Sequence, residues 1–166
     1  MSDELHAAAT ALLDICRARG LKIATAESCT GGLVAGALTE IAGSSDVFDR
    51  GFVTYSNDAK EQMLGVPAET LRMHGAVSRQ TAEAMARGAI ANSAANLAVA
   101  ITGIAGPGGG SADKPVGLVH FAAATRSGAL THHEARYGDI GRAEVRRRSV
   151  LQALAMLQAL ADKSSR

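Results

Sequence analysis

Three short stretches of this sequence carry side chains able to do chemistry. TAESCTGG (25–32) sets Ser28, Cys29 and Thr30 between a carboxylate, Glu27, and two glycines, Gly31 and Gly32. TYSNDAK (54–60) offers Tyr55, Asn57 and Lys60, and TGIAGPGGG (102–110) offers Thr102 and a run of glycines that includes Gly103 and Gly106. A serine hydroxyl becomes a nucleophile only with a base beside it. The five histidines supply no obvious partner, since His6 and His74 fall in helical or turn contexts and His120, His132 and His133 lie in a hairpin. Lys60 is the better base, because a lysine desolvated in a pocket can lose its proton near neutral pH and take one from Ser28. Tyr55, five residues earlier, can relay or donate that proton.

Each of these residues also has a purely structural reading. Ser28 or Thr30 can cap the helix that follows, Lys60 can be a solvated helix charge, and Tyr55 can sit at the edge of the core. Cys29 is a rival nucleophile, because a helix N-terminus lowers a thiol's pKa, but a cysteine in this setting also serves as a small buried hydrophobe. The TGIAGPGGG segment resembles a cradle for phosphate or amide groups. It lacks the Lys-Ser/Thr ending of a P-loop and the spacing of a dinucleotide fingerprint. Arg142, Arg146, Arg147 and Arg148 cluster near the start of the last helical pattern; such a run forms a solvated face, although one arginine can reach a phosphate.

The elements that must position these residues follow from periodicity. Leu5, Ala8, Ala9, Leu12, Leu13 and Cys16 recur at helical spacing, with Gly20 as the stop. Lys22 to Thr25 reads as a strand leading into a helix that begins near Thr30 and closes at Gly43, which places Ser28 at a strand-to-helix turn beside free backbone N–H groups suited to a phosphate or a tetrahedral oxyanion. Phe48 to Tyr55 reads as a second strand, with Ser56 or Asn57 capping a short helix that carries Lys60 in its first turns. Pro67 opens another short helix, and Ser78 caps a longer one with Ala82, Met85, Ala86, Ala89 and Ile90 on one face. Leu97 to Ile101 is an apolar run of the kind buried on both faces of a sheet. A long loop follows. Val116 to Thr125 and Leu130 to Tyr137 then form a hairpin around Arg126-Ser127-Gly128, and a last helix starts near Asp139.

This alternation predicts a single α/β domain, a three-layer α/β/α sandwich around a mixed sheet. Ligands in such sheets collect beyond the carboxyl ends of the strands, where all three chemical stretches fall. The candidate substrate contacts are therefore Glu27, Cys29, Thr30, Gly31 and Gly32 from the first loop, Asn57 from the second, and Thr102, Gly103 and Gly106 from the third.

Composition narrows the function classes. With 17 Lys+Arg against 16 Asp+Glu the net charge is +1, so no bulk field draws the chain to nucleic acid or to an anionic membrane. Aromatic residues make up 3% and tryptophan is absent, which leaves few platforms for stacking bases. No apolar run reaches transmembrane length, and the N-terminus has no basic region leading into an apolar core as a signal peptide would. Cys16 and Cys29 have no metal-binding spacing and do not form a disulfide framework; they fit a reducing cytoplasm.

Read together, AESCTGG (26–32), GFVTYSNDAK (51–60), HGAVS (74–78), ITGIAGPGGG (101–110) and KPVG (114–117) resemble, in order and spacing, the CinA C-terminal family, whose stand-alone members are nicotinamide-nucleotide amidases. The resemblance runs from about Leu5 to Leu160. It implies hydrolysis of the carboxamide of nicotinamide mononucleotide to nicotinate mononucleotide and ammonia, with no metal and no organic cofactor. It further implies Ser28 as nucleophile, Lys60 as base and Tyr55 nearby, with helix N-terminal amides near Thr30 and Gly31 holding the oxyanion. The expected partner is a small-molecule nucleotide, and the expected assembly a homo-oligomer in the cytoplasm. The family's last helix is commonly preceded by Gly-Asp-Arg; here Ile140 and Gly141 separate Gly138-Asp139 from Arg142. Two alternatives stay open from the residues alone: a non-catalytic nucleotide-binding module, and a thiol-dependent amidase using Cys29. The serine-lysine reading requires Ser28 and Lys60 within hydrogen-bond reach, with Tyr55 lining the same pocket.

Overall fold

A computed structural model describes residues 1–164. Its elements are α1 (Asp3–Arg19), β1 (Ile23–Glu27), α2 (Leu33–Thr39), β2 (Phe48–Val53), α3 (Asn57–Leu64), α4 (Ala68–His74), α5 (Arg79–Ala91), β3 (Leu97–Gly103), β4 (Leu118–Thr125), β5 (Leu130–Arg136) and α6 (Arg142–Lys163). The sheet order is β2-β1-β3-β4-β5. β1 pairs in parallel with both β2 and β3, whereas β3–β4 and β4–β5 are antiparallel, which makes the sheet mixed.

Alternation along the strands separates two cores. Ile23, Leu97, Val99, Ile101, Val119, Phe121 and Ala123 point to the side covered by α1, α2 and α6, where they meet Leu12, Leu13, Val34, Leu38, Leu154 and Leu157. Their neighbours Ala24, Ala26, Ala98, Ala100, Ala122 and Ala124 point the other way, toward Leu64, Leu71, Ala82, Met85, Ala86 and Ala89 of α3, α4 and α5. The result is the three-layer sandwich that the alternation of elements predicts. The alanine face lets α5 lie close to the sheet. Gly88 continues that close approach on the outer side, because a Cβ there would fall 2.0 Å from the Leu64 carbonyl oxygen. The inner strands β1 and β4 are buried along their whole length, while the edge strands β2 and β5 are mostly half-buried or exposed.

Two helices start later than periodicity suggests. α2 begins at Leu33 rather than near Thr30, because Gly31 and Gly32 take φ of +55° and +102°, outside helical space. α6 begins at Arg142 rather than near Asp139, with Gly141 as its N-cap.

The fold places its functional loops and its fastenings at opposite ends. The loops after β1, β2 and β3 gather beyond the strand ends, together with the start of α6. At the far end two arginines close helix C-termini: Arg19 Nη1 donates to the carbonyls of Ala161, Asp162 and Ser164, and Arg126 donates to those of Ile90, Ser93 and Ala95. Positive charge at a helix C-terminus complements both its unpaired carbonyls and its dipole. Among the described residues no helix is long and apolar enough to cross a membrane.

Candidate active site

Ser28 follows β1 without leaving the sheet ladder: its N–H donates to the carbonyl of Ile101 in β3 at 2.9 Å. Thr54, just past β2, is held in the same way by the carbonyl of Glu27, also at 2.9 Å. α3 then starts under a serine cap, with the Ala59 N–H donating to Ser56 Oγ at 3.0 Å. Lys60 sits in the first turn of α3 and points inward. It is 1% exposed, the largest of the fully buried side chains. Its Nζ donates to the Thr54 carbonyl at 2.8 Å and to Ser28 Oγ at 3.0 Å. A lysine buried this completely is normally paired with a carboxylate. No such ion pair is present here among the described residues. Burial pushes the Lys60 pKa below the ordinary lysine value, opposed in part by Cys29.

This geometry serves a neutral amine as well as an ammonium. With one proton gone, Nζ keeps an N–H for the Thr54 carbonyl and turns its lone pair to the Ser28 hydroxyl, which then donates instead of accepting. Ser28 and Lys60 therefore have the contact that proton transfer from hydroxyl to amine requires.

The structural reading of Ser28 and Thr30 as helix caps does not describe this turn. The N-cap of α2 is Gly32, without a side-chain cap, and the Thr30 hydroxyl has no partner among the described residues. The capping group is Glu27. Its fully buried carboxylate accepts from the N–H of Val34 at Oε1 (2.9 Å) and from that of Ala35 at Oε2 (3.1 Å). Two expectations change as a result. Glu27, placed among the substrate contacts from sequence, turns away from the cavity to hold α2. The amides of the α2 N-terminus are occupied and cannot hold an oxyanion. The Gly31 N–H is likewise taken, by the Ser28 carbonyl at 3.0 Å. Among the described residues the amides of Cys29 and Thr30 have no acceptor, and these are the free donors adjoining Ser28. Replacing Glu27 with alanine should strip both α2 amides of their acceptor inside the core and destabilise the protein by about 2 kcal/mol or more. Glu27→Gln, which keeps one acceptor oxygen, should cost less; urea unfolding of the two variants checks the order.

A cavity of about 280 Å3 opens over the pair. Ser28, Cys29, Tyr55, Asn57, Lys60, Thr102, Gly103 and Gly106 line it, so the structure brings together residues from all three loops that sequence singles out. Thr30, Gly31 and Gly32 stand behind the wall. Tyr55 is 63% exposed, and its hydroxyl accepts from Arg142 Nη2 at 3.0 Å instead of reaching Ser28 or Lys60. The lining also includes Ala76 and Val77 of the HGAVS segment, which sequence does not single out as contacts, and Arg142, one of the four arginines of which sequence allows one to reach a phosphate. Arg142 Nη1 donates to the Gly106 carbonyl at 2.9 Å, so the Ile140-Gly141 insertion does not keep this arginine from the cavity. One helical turn on, Arg146 donates to the carbonyls of Cys29 (3.1 Å) and Thr30 (3.3 Å) and fastens the Ser28 turn to α6.

Charge pairing along α6 holds the signal that separates these arginines. Glu144 binds Arg147 and Arg148, three and four residues on, and these hold its carboxyl at about 2. Arg142 and Arg146, four apart on another face, have no carboxylate partner among the described residues and turn to the site. Lys60 and Arg142 are the basic residues in the cavity lining, which among the described residues holds no carboxylate. Cys29 also lines the cavity, but burial and, to a smaller degree, the Glu27 carboxylate push its thiol up to about 11. It is protonated near neutrality and a poor nucleophile. Among the described residues no three His, Cys, Asp or Glu side chains gather as a metal site.

The chain is thus a mixed-sheet α/β/α domain with a buried serine-lysine contact in the lining of a cavity. The chain belongs to the CinA family: the model of the CinA C-terminal domain matches residues 5–161. It is 56% identical over 142 residues to the nicotinamide-nucleotide amidohydrolase PncC of Escherichia coli, covering 85% of each chain. It is 52% identical over 141 residues to a CinA-like protein of Anaeromyxobacter dehalogenans, covering 85% of this chain and 34% of that one. The chain spans about a quarter to a third of the length of the longer relatives it matches. Among solved structures, the competence/damage inducible protein CihA of Agrobacterium tumefaciens superposes with a TM-score of 0.95 at 62% identity, covering 96% of this chain and 97% of that one.

Proposed function

We propose that this protein hydrolyses the carboxamide of nicotinamide mononucleotide to nicotinate mononucleotide and ammonia. The 3.0 Å contact between Ser28 Oγ and the buried Nζ of Lys60 carries this reading, and the similarity to the Escherichia coli amidohydrolase over most of both chains supports the substrate. Neutral Lys60 takes the Ser28 proton as Oγ attacks the amide carbonyl. The free amide of Cys29, the residue beside Ser28 in the lining, is the donor for the developing oxyanion. The tetrahedral intermediate collapses, Lys60 returns the proton to the departing nitrogen, and ammonia leaves. Water, activated by the same amine, then cleaves the acyl-enzyme and restores Ser28. Because the Tyr55 hydroxyl contacts neither Ser28 nor Lys60 and accepts from Arg142 instead, Lys60 performs both transfers, and Tyr55 bounds the site beside the phosphate.

The cationic lining gives the phosphate its place. Arg142 and the amides of the glycine-rich loop hold it, and this remote binding acts at the amide. The mononucleotide should therefore exceed free nicotinamide in kcat/KM by about tenfold to a hundredfold, the worth of one charge-assisted hydrogen bond. Ammonia release from the two compounds measures the ratio; equal values would remove the phosphate from the reading, and no ammonia from either would remove the amidase. The protein works in the cytoplasm, a setting to which its two free, buried cysteines are suited. It assembles as a homo-oligomer, for which Leu33 and Val53 provide exposed apolar surface.

A further inference from the structure

Two walls of the cavity differ in how firmly they are held. The turn at 74–78, which contributes Ala76 and Val77, is pinned from several directions. Ser78 Oγ and Thr81 Oγ1 both donate to the Gly75 carbonyl (3.0 and 2.7 Å), and Thr102 Oγ1 donates to that of Ala76 at 2.8 Å. A second wall, with Gly108 and Gly109, belongs to the long loop between β3 and β4. That loop is fastened at its base, where the Ile104 N–H donates to the Leu118 carbonyl (2.9 Å) and the Gly117 N–H to that of Ile104 (2.8 Å). Beyond the base, segment 107–114 has one hydrogen bond to the rest of the protein among the described residues: Lys114 Nζ donates to the His74 carbonyl at 2.6 Å.

The surroundings of Lys114 are built for this contact. The Lys114 N–H donates to Ser111 Oγ (3.1 Å) and its carbonyl accepts from the Ser111 N–H (2.8 Å), a closed turn that presents the side chain. At the receiving end the chain carries Gly75, where a Cβ would stand 2.9 Å from Nζ. Lys114 does not line the cavity, and neither the chemistry nor the proposed phosphate contacts use it.

We infer that Lys114 is a positioning residue: its ammonium clasps the glycine-rich segment 107–113 to the rigid turn at His74, and so sets the affinity for the nucleotide. The inference rests on the amidase reading for its substrate but not for its structural half. A glycine-rich segment without the clasp samples many backbone conformations, and a ligand that needs one of them binds more weakly by the fraction of time it is absent.

The test compares wild type, Lys114→Met and Lys114→Arg, by steady-state kinetics with nicotinamide mononucleotide and by hydrogen exchange of the unliganded protein. Lys114→Met should raise KM about tenfold or more, as loss of a charged hydrogen bond would, with kcat within about threefold of wild type. Amides of 107–113 should exchange faster in that variant while those of β1 and β3 do not change. Arginine keeps a cationic donor for the His74 carbonyl and should restore both properties. An unchanged KM, a fall in kcat alone, or unaltered exchange in 107–113 would overturn the inference. If wild type releases no ammonia from the mononucleotide, the amidase reading falls, and the exchange comparison still decides the clasp. Should Lys114→Met not fold, Ser111→Ala, which loosens the presenting turn, should shift KM and exchange in the same direction, and no shift would again overturn it.

Discussion

Ser28→Ala should lower amide hydrolysis by at least roughly 10^4-fold, the scale at which loss of a covalent nucleophile is felt, while leaving the fold intact. Ser28 is nearly buried but small, and its side chain makes one hydrogen bond, accepted from Lys60. Its backbone is held by Ile101 whatever the side chain. The companion variant is Cys29→Ala, which should retain most activity. Both residues line the cavity, yet the Cys29 thiol sits at about 11 and the Ser28 hydroxyl faces an amine with a lowered pKa. Ammonia release from both variants, with folding checked by thermal unfolding, separates the outcomes. A Cys29→Ala loss equal to that of Ser28→Ala would establish a thiol mechanism instead.

Lys60→Arg should be nearly inactive, by about 10^3-fold or more, because a guanidinium keeps the positive charge but cannot lose its proton in the working range. The accompanying pH profile has a defined sign. Lys60 must be neutral to act, and burial lowers its pKa from the ordinary lysine value, so kcat/KM for wild type should rise with pH as the free enzyme loses that proton. The limb should vanish from whatever activity remains in Lys60→Arg. Full activity in this variant with the wild-type profile would make Lys60 an electrostatic anchor and send the search for a base elsewhere.

The order and type of the elements were legible because each one repeats a signal. The helical spacing of Leu5 to Cys16, the apolar run 97–101 and the hairpin around Arg126-Ser127-Gly128 all stand where the chain places them. The convergence of the loops holding Ser28, Lys60 and Thr102 followed from their position after strands. What sequence could not give was the fate of individual polar atoms. Nothing in TAESCTGG says that Glu27 will fold back to the amides of Val34 and Ala35, because that depends on the two positive-φ glycines that delay α2. Nor does the spacing of Tyr55 and Lys60 show that the phenol will meet Arg142, 87 positions away. Contacts of that kind are decided by tertiary packing. Lys60 is the sharpest case: a lysine in the first turn of a short helix reads as solvated, and only the assembled sheet, with the Thr54 carbonyl and Ser28 beneath it, buries it.

The separation of the two ends of the sheet bears on how such a protein can change over generations. Arg19 and Arg126 close helix C-termini at the end away from Ser28, so substitutions that strengthen or weaken those closures alter the margin of stability without touching the cavity. Substitutions in the loops around Ser28, Gly106 and Arg142 act on the ligand with the other end still fastened. A lineage can therefore gain tolerance at one end and spend it on new loop sequences at the other, and descendants that take different substrates are expected to differ mainly beyond the carboxyl ends of β1, β2 and β3.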